Sequence, residues 1–187
     1  MTTVLLPVLT LALFAGCQHP RTASDSQSDV MPAPRAAVIP ASGGEKRWLR
    51  GGTAPLFIKV DPVNTGSQRM VLGFSDLPPG DAIGVHRHLQ EDEIIVITRG
   101  TARVQLGKEF TTASAGGTVF IPQGTCIGVT NIGADTLSNF FVFSSPGFER
   151  ALRAVSSAPG EPPKTLTPQL RQSAFHDAHA VANPADC

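Results

Sequence analysis

The sequence predicts an all-β protein, either a sandwich or a small barrel, and three observations lead to this class. The 187 residues include 18 Gly and 16 Pro, too many for a helical bundle but suited to short strands joined by turns. A hydrophobic content of 41% is enough to build a core. After Trp48, nine short apolar runs alternate with turn residues at the spacing of a sandwich or small barrel. The runs are residues 56–60, 69–77, 82–88, 94–99, 102–106, 109–113, 118–121, 125–130 and 137–143.

Charge and cysteine content exclude several classes of protein. The 15 Lys and Arg residues balance 15 Asp and Glu residues, so the sequence offers no basic surface for a nucleic acid. The length allows one domain and hardly two. The three cysteines, at positions 17, 126 and 187, are too few for a disulfide scaffold and show no zinc-finger or redox spacing. We therefore expect one compact domain with no nucleic-acid partner.

The N-terminus has the features of an export signal. Residues 4–16 are apolar apart from Thr10, and this stretch is too short to span a bilayer as a stable anchor. It ends at Cys17 in a sequence that resembles the bacterial lipobox, in which the cysteine thiol takes a diacylglyceryl group. Phe14 stands where leucine is usual, and residues 1–3 lack a basic residue. The alternative is an ordinary signal peptide with an incidental cysteine.

The resemblance to lipoproteins implies a location and an organisation. Lipidation of Cys17 would place the protein in the bacterial cell envelope, as a periplasmic protein with a lipid anchor in the membrane. Gln18 after the cysteine resembles the class sorted to the outer membrane. We divide the chain into a signal peptide (1–17), a disordered Pro-rich tether (18–46), a barrel domain (47–150) and a C-terminal helix with a loosely held tail (151–187).

The C-terminal part contains two helix signals. Phe148, Leu152 and Val155 are spaced i, i+4 and i+7, which predicts one apolar stripe on a short helix across the barrel. Thr167 followed by Pro168 is a typical helix start, with an N-cap and a proline at the first helical position.

Three side chains point to a metal site. His86 and His88 are two residues apart, so both imidazoles leave the same face of a strand. Glu93 begins the next apolar run after a turn, and its carboxylate can reach the same point from the neighbouring strand. Two neutral imidazoles and one carboxylate with open positions favour non-haem Fe(II) and also accept Mn, Ni, Co or Zn.

These residues belong to two motifs that resemble those of the cupin superfamily. The first motif has the spacing G-x5-H-x-H-x4-E-x6-G, and it is formed by Gly80, His86, His88, Glu93 and Gly100. The second has the spacing G-x5-P-x-G-x2-I-x3-N, and it is formed by Gly116, Pro122, Gly124, Ile127 and Asn131. The resemblance implies a double-stranded β-helix, a small jelly-roll barrel, with the site in its mouth.

One position departs from the cupin pattern. Ile127 stands where the family has the histidine that completes a shell of three His and one Glu, and isoleucine cannot bind a metal. Strand alternation directs the adjacent Cys126 to the opposite face, so we expect a small buried hydrophobe there, although a bulge would make it a ligand. His176 and His179 can supply a fourth nitrogen if the tail folds over the mouth; otherwise they lie in a solvated tail. We assign Ile127 and Cys126 to the pocket wall.

The predicted chemistry leaves several function classes open. With Fe, Mn, Ni or Zn held by three ligands, the resemblance implies a dioxygenase, an isomerase or a decarboxylase acting on a small molecule. The chain has no Tyr, and no general base stands out, so a non-catalytic cupin that binds a small molecule or a metal is the alternative. An envelope scaffold is a third class. Cupins are frequently dimers, and the apolar segment 140–143 is consistent with a homodimer.

Overall fold

The computed structural model describes Met1 and residues 33–187, and in this part the chain folds into two antiparallel sheets and two helices. The elements are β1 Glu45–Leu49, β2 Ala54–Val60, β3 Val71–Leu77, β4 Ala82–His88, β5 Glu93–Arg99, β6 Thr101–Leu106, β7 Glu109–Ser114, β8 Thr118–Ile121, β9 Cys126–Asn131, β10 Leu137–Phe143, α1 Glu149–Val155, α2 Pro168–Asp177 and β11 Ala180–Ala182. The first sheet has the order β1-β2-β3-β10-β5-β8, and the second has the order β11-β4-β9-β6-β7. This arrangement confirms the predicted all-β jelly roll with a C-terminal helix.

The core follows from strand alternation. In β3 and β5 every second side chain is buried between the sheets, as the period of two requires. The central strand β10 pairs with β3 on one side and with β5 on the other. Its inward rings, Phe141 and Phe143, lie in the core, while Phe140 packs in a half-buried position against Phe74 on the outer face.

The first strand was not predicted because its sequence, EKRWL, is polar. β1 pairs with β2, and Lys46 lies opposite Phe57. The ammonium group of Lys46 lies 4.4 Å from the centroid of the Trp48 ring. The ammonium group thus lies over an aromatic surface, formed by Trp48 and Phe57, that the sequence pattern does not show.

Part of the predicted tether belongs to the folded domain. Lys59 is buried and donates hydrogen bonds to the carbonyl oxygens of Pro40, Ala41 and Gly43, at 3.1, 2.8 and 2.9 Å. These bonds attach the segment before β1 to the barrel, so the tether prediction is wrong for this stretch. The predicted signal peptide and the tether up to residue 32 lie outside the described residues. Among residues 33–187, no helix has the length and the apolar composition needed to cross a membrane.

The helix starts were predicted correctly, but the loose tail was not. The hydroxyl of Thr167 accepts a hydrogen bond from the Leu170 amide at 3.1 Å and caps α2. Beyond α2, strand β11 pairs with β4, and a disulfide joins Cys187 to Cys126 across a Cα–Cα distance of 6.0 Å. The prediction failed because it relied on local apolar periodicity, whereas this segment is held by pairing with a distant strand and by a cross-link.

Candidate metal centre

The structure brings the three predicted ligands together inside the barrel. His86 and His88 leave the inner face of β4, and Glu93 is the first residue of β5. All three side chains are buried. One nitrogen or oxygen from each residue lies within 4.8 Å of the other two, and His88 Nε2 is 3.4 Å from Glu93 Oε2.

Local hydrogen bonds fix the turn that connects β4 to β5. The carboxylate of Asp92 accepts a hydrogen bond from the Gln123 amide at 2.8 Å, and the Asp92 amide donates to the Ser144 hydroxyl at 3.0 Å. The His88 carbonyl accepts from the Gly124 amide at 2.8 Å. The loops around the site therefore hold both ends of the turn, which sets the direction of Glu93.

His86 is held as a neutral imidazole with its second nitrogen free. Its Nδ1 lies 2.9 Å from the Gly84 carbonyl oxygen, which can only accept, so Nδ1 carries the proton and Nε2 carries the lone pair. Burial is the main reason why the pKa of His86 falls to about 3, and the charge of His88 lowers it further. A metal ligand requires this neutral state.

Orphaned polar atoms indicate that the cluster suits a cation. Within the part of the chain that the structure describes, both ring nitrogens of His88 and Oε2 of Glu93 are buried without a hydrogen-bond partner. Leaving such an atom unpaired costs roughly 1–3 kcal/mol. Because His88 Nε2, Glu93 Oε2 and the ring of His86 converge, one divalent metal ion can bind these three groups together, while His88 Nδ1 faces Glu91 instead. The residues present therefore fit the predicted metal.

Glu91 is a site residue that the sequence analysis missed. Its side chain is only 2% exposed, and its Oε1 lies 4.0 Å from His88 Nδ1, on the side of the ring that faces away from Glu93. Burial raises the pKa of Glu91, and the nearby His88 opposes that rise. At this separation the two groups form no hydrogen bond, and the carboxylate acts on the ligating imidazole through its charge. Within the run Gln90 to Glu93, the sequence contains no signal for which acid turns inward.

A largely apolar cavity of about 130 Å³ adjoins the cluster. His86 and Glu93 line it, so two of the three candidate ligands face its interior. The Phe148 ring, just before α1, stacks on His86 with 5.6 Å between centroids and meets His88 edge-on at 4.3 Å. Six large apolar side chains form much of the wall: Leu56, Ile95, Phe141, Phe143, Phe148 and Phe175.

The predicted pocket residues are placed differently. Ile127 lies opposite His86 in the β4–β9 pair and is fully buried, but neither it nor Cys126 lines the cavity. The cavity follows the first sheet and β4, whereas both residues belong to β9 of the second sheet. The disulfide engages the Cys126 sulfur, so Cys126 is neither a ligand nor a pocket residue.

His176 and His179 lie apart from the ligand cluster. Both are exposed, and within residues 33–187 the cluster has no fourth member. Instead of a nitrogen, α2 contributes Phe175, whose ring meets His86 edge-on at 5.6 Å. Arg87, between the two ligand histidines, points outward and forms an ion pair with Asp186 at 2.7 Å.

Comparisons with known proteins agree on the fold. A family model described as "Cupin domain" matches residues 73–143. None of the curated proteins matches the sequence significantly. Among solved structures, a predicted oxalate decarboxylase from Thermotoga maritima is 20% identical with a TM-score of 0.52, and the match covers 59% of this chain and 100% of that one.

Two further solved structures are similar. KdgF from a Halomonas species is 16% identical with a TM-score of 0.52, and the match covers 60% of this chain and 96% of that one. The protein TT1209 from Thermus thermophilus is 30% identical over 42% of this chain and 75% of its own, with a TM-score of 0.41. The family model, the two spaced motifs and the jelly-roll topology agree, and the chain belongs to the cupin superfamily.

Proposed function

We propose that this protein is a cell-envelope cupin that uses one divalent transition metal to act on a small, largely apolar molecule by dioxygenase-type or related chemistry. The observation that carries the proposal is that His86 and Glu93 belong to the ligand cluster and also line the cavity. A molecule in that cavity therefore lies beside the metal position.

The donor set supports the choice of metal and its role. A 2-His-1-carboxylate cluster leaves coordination positions open, and it suits Fe(II) as well as Mn, Ni, Co or Zn. When bound, such a metal supplies Lewis acidity or a site for dioxygen. The chain's own residues would do the rest. His86 and Glu93 would hold the ion beside the cavity, and the rings of Phe148 and Phe175 cover His86 and keep water from it.

The size and lining of the cavity limit the ligand. An engineered apolar cavity of about 150 Å³ in another protein admits benzene. The present cavity of 130 Å³ accordingly takes one ring or a short chain of comparable volume. Phenols and small diketones combine such an apolar body with oxygen atoms that a metal can bind.

Two observations support the envelope location. The signal-like segment ends at Cys17 in a lipobox-like sequence. The disulfide between Cys126 and Cys187 uses the other two of the three cysteines, and disulfides persist mainly in oxidising compartments such as the periplasm.

A second candidate function is capture of a small molecule or a metal without turnover. Among the residues that the structure describes, Asp76 is the one carboxylate besides the ligands that lines the cavity, and it accepts a hydrogen bond from the Ser138 hydroxyl at 2.6 Å. No general acid or base therefore stands out among the lining residues described.

Metal analysis followed by oxygen consumption tests the proposal. Protein purified without added metal should carry or take up one divalent ion per chain. The Fe(II) form should then consume dioxygen with a member of a panel of phenols and diketones. Binding of a panel member without oxygen uptake would favour the capture function. A protein that neither holds nor takes up a metal would refute the proposed function and metal capture, and would leave metal-free binding of a small molecule or a scaffold role.

A further inference from the structure

The C-terminal strap, defined here as residues 168–187, lies beyond the matched cupin domain and packs against the strand that carries both histidine ligands. We propose that this strap is a cover latched by a disulfide that holds His86 in its metal-binding orientation, with Arg171 as the positioning residue. This inference rests on the proposed metal-binding function and adds a means of control over the same site.

Arg171 acts on His86 through one shared carbonyl. Its Nη2 donates to the carbonyl oxygens of Gly84 and Val85, each at 3.0 Å, and Nη1 donates to Asn183 Oδ1 at 2.6 Å. The Gly84 oxygen also accepts the His86 Nδ1 proton. The guanidinium thus fixes the acceptor that selects the His86 tautomer with a free Nε2.

Gly84 provides the space that this contact needs. A Cβ atom at this position would lie 3.0 Å from both terminal nitrogens of Arg171. A side chain there would force the guanidinium to shift by a few tenths of an ångström and would disturb its hydrogen bond to the Gly84 carbonyl. The glycine and the arginine therefore form a matched pair across β4 and α2.

Phe175 supplies a second contact between the strap and the ligand. The Phe175 ring meets His86 edge-on, and the Arg171 guanidinium lies over this ring, 5.1 Å from its centroid. It also packs edge-on against Phe148 at 5.0 Å. His86 is therefore enclosed by two rings and one hydrogen-bonded carbonyl, and two of these three contacts depend on α2.

The rest of the strap is fastened to β4 and β9. β11 pairs with β4 so that Ala180 lies opposite His88 and Ala182 opposite His86. The Asn183 amide donates to the Val85 carbonyl at 2.9 Å. Outside the barrel, the Arg87–Asp186 ion pair and the Cys126–Cys187 disulfide close the end. Reduction of this disulfide by a dithiol, which is itself oxidised to a disulfide, would leave two free thiols and release the end of the strap. The state of the metal site would thus depend on the redox state of the compartment.

The test compares full-length variants Arg171→Gln and Gly84→Ala, which disturb the same contact from opposite sides. A third variant combines Cys126→Ala with Cys187→Ala and removes the latch without adding a thiol that binds metal. Arg150→Gln is the control, because Arg150 is an exposed arginine on the other helix. Arg171→Lys tests rescue, since an ammonium group can donate to the same carbonyls.

Two measurements are made on each variant. In the metal-free protein, ¹H–¹⁵N NMR reports the His86 tautomer: the wild type should show only the Nδ1–H form, and Arg171→Gln and Gly84→Ala a mixture. Titration with Co(II), followed by its visible absorption, should show that the affinity for the ion falls by roughly 10-fold or more in Arg171→Gln, in Gly84→Ala and in the double cysteine variant. Arg150→Gln should match the wild type, and Arg171→Lys should recover part of the loss.

An unchanged tautomer and unchanged affinity in Arg171→Gln and Gly84→Ala, with native circular dichroism, would overturn the proposal. If the double cysteine variant does not fold, Arg171→Gln and Gly84→Ala still test whether Arg171 positions His86. If the wild type binds no cobalt, the proposed function fails, while the tautomer measurement still tests the strap.

Discussion

The buried imidazole of His86 should make the metal-free protein less stable on acidification. Its pKa lies at about 3 in the folded protein because the imidazole is buried, against 6.5 for an exposed histidine. Between these two values the unfolded chain binds a proton that the folded chain does not. The free energy of unfolding therefore falls as the pH drops from 6.5 toward 3, and this contribution is complete above pH 6.5.

The magnitude follows from the size of the pKa shift. Each pKa unit corresponds to about 1.4 kcal/mol, so the whole window is worth roughly 5 kcal/mol, and the part between pH 7 and pH 4 roughly 3 kcal/mol. For a domain of this size, roughly 3 kcal/mol is a large fraction of the total stability.

Urea unfolding in the presence of EDTA, at pH 7 and at pH 4, measures this effect. The comparison variant is His86→Asn, which keeps a donor near the Nδ1 position but does not titrate. Carboxylates elsewhere contribute equally to both proteins, so the wild type should lose roughly 3 kcal/mol more than the variant over this range. Equal losses in the two proteins would refute the assignment of a buried, neutral His86.

Three further predictions concern the surroundings of the cluster. Glu91→Gln should weaken Co(II) affinity by roughly 10-fold without changing the stoichiometry, because it removes a charge behind His88; an unchanged affinity would exclude this role. Ile127→His should strengthen metal binding, because residue 127 lies opposite His86. It should leave ligand binding in the cavity unchanged, because residue 127 does not line the cavity. Weaker metal binding would contradict this and would show that the three-ligand site is already optimal. Loss of the Cys126–Cys187 disulfide should lower the free energy of unfolding by about 4 kcal/mol, given a separation of 61 residues, and an unchanged urea midpoint would contradict this.

The parts of the fold that could be predicted are those encoded locally. His86 and His88 share a face because strand side chains alternate, and a short turn brings Glu93 back beside them. Thr167 and Pro168 mark the start of α2 by the chemistry of a helix N-terminus. Such features need no information about distant residues.

The features that were missed depend on distant parts of the chain. Glu91 turns inward in a loop that packs near Gly147, and no periodicity distinguishes it from the exposed Asp92. The disulfide joins Cys126 to the last residue, a pairing that sequence spacing cannot assign. The shared carbonyl of Gly84 requires the position of α2, which lies far along the chain.

The prediction that Ile127 and Cys126 line the pocket was wrong for a related reason. Alternation placed Ile127 inside the barrel correctly, and the structure buries it completely. Where the packed interior leaves space depends on how the two sheets and both helices fill it. The rings of Phe148 and Phe175 come from outside the predicted motifs, and they place the cavity beside the first sheet.

Metal stoichiometry tests the central claim most directly. Wild-type protein and the Glu93→Gln variant are dialysed against a mixture of Fe(II), Mn(II), Co(II), Ni(II) and Zn(II), washed, and measured by mass spectrometry of the elements. Glu109→Gln on the exposed strand β7 serves as the control. The account predicts one divalent ion per chain in the wild type and the control, and far less than one in Glu93→Gln. Equal metal content in all three proteins, or none in the wild type, would contradict it.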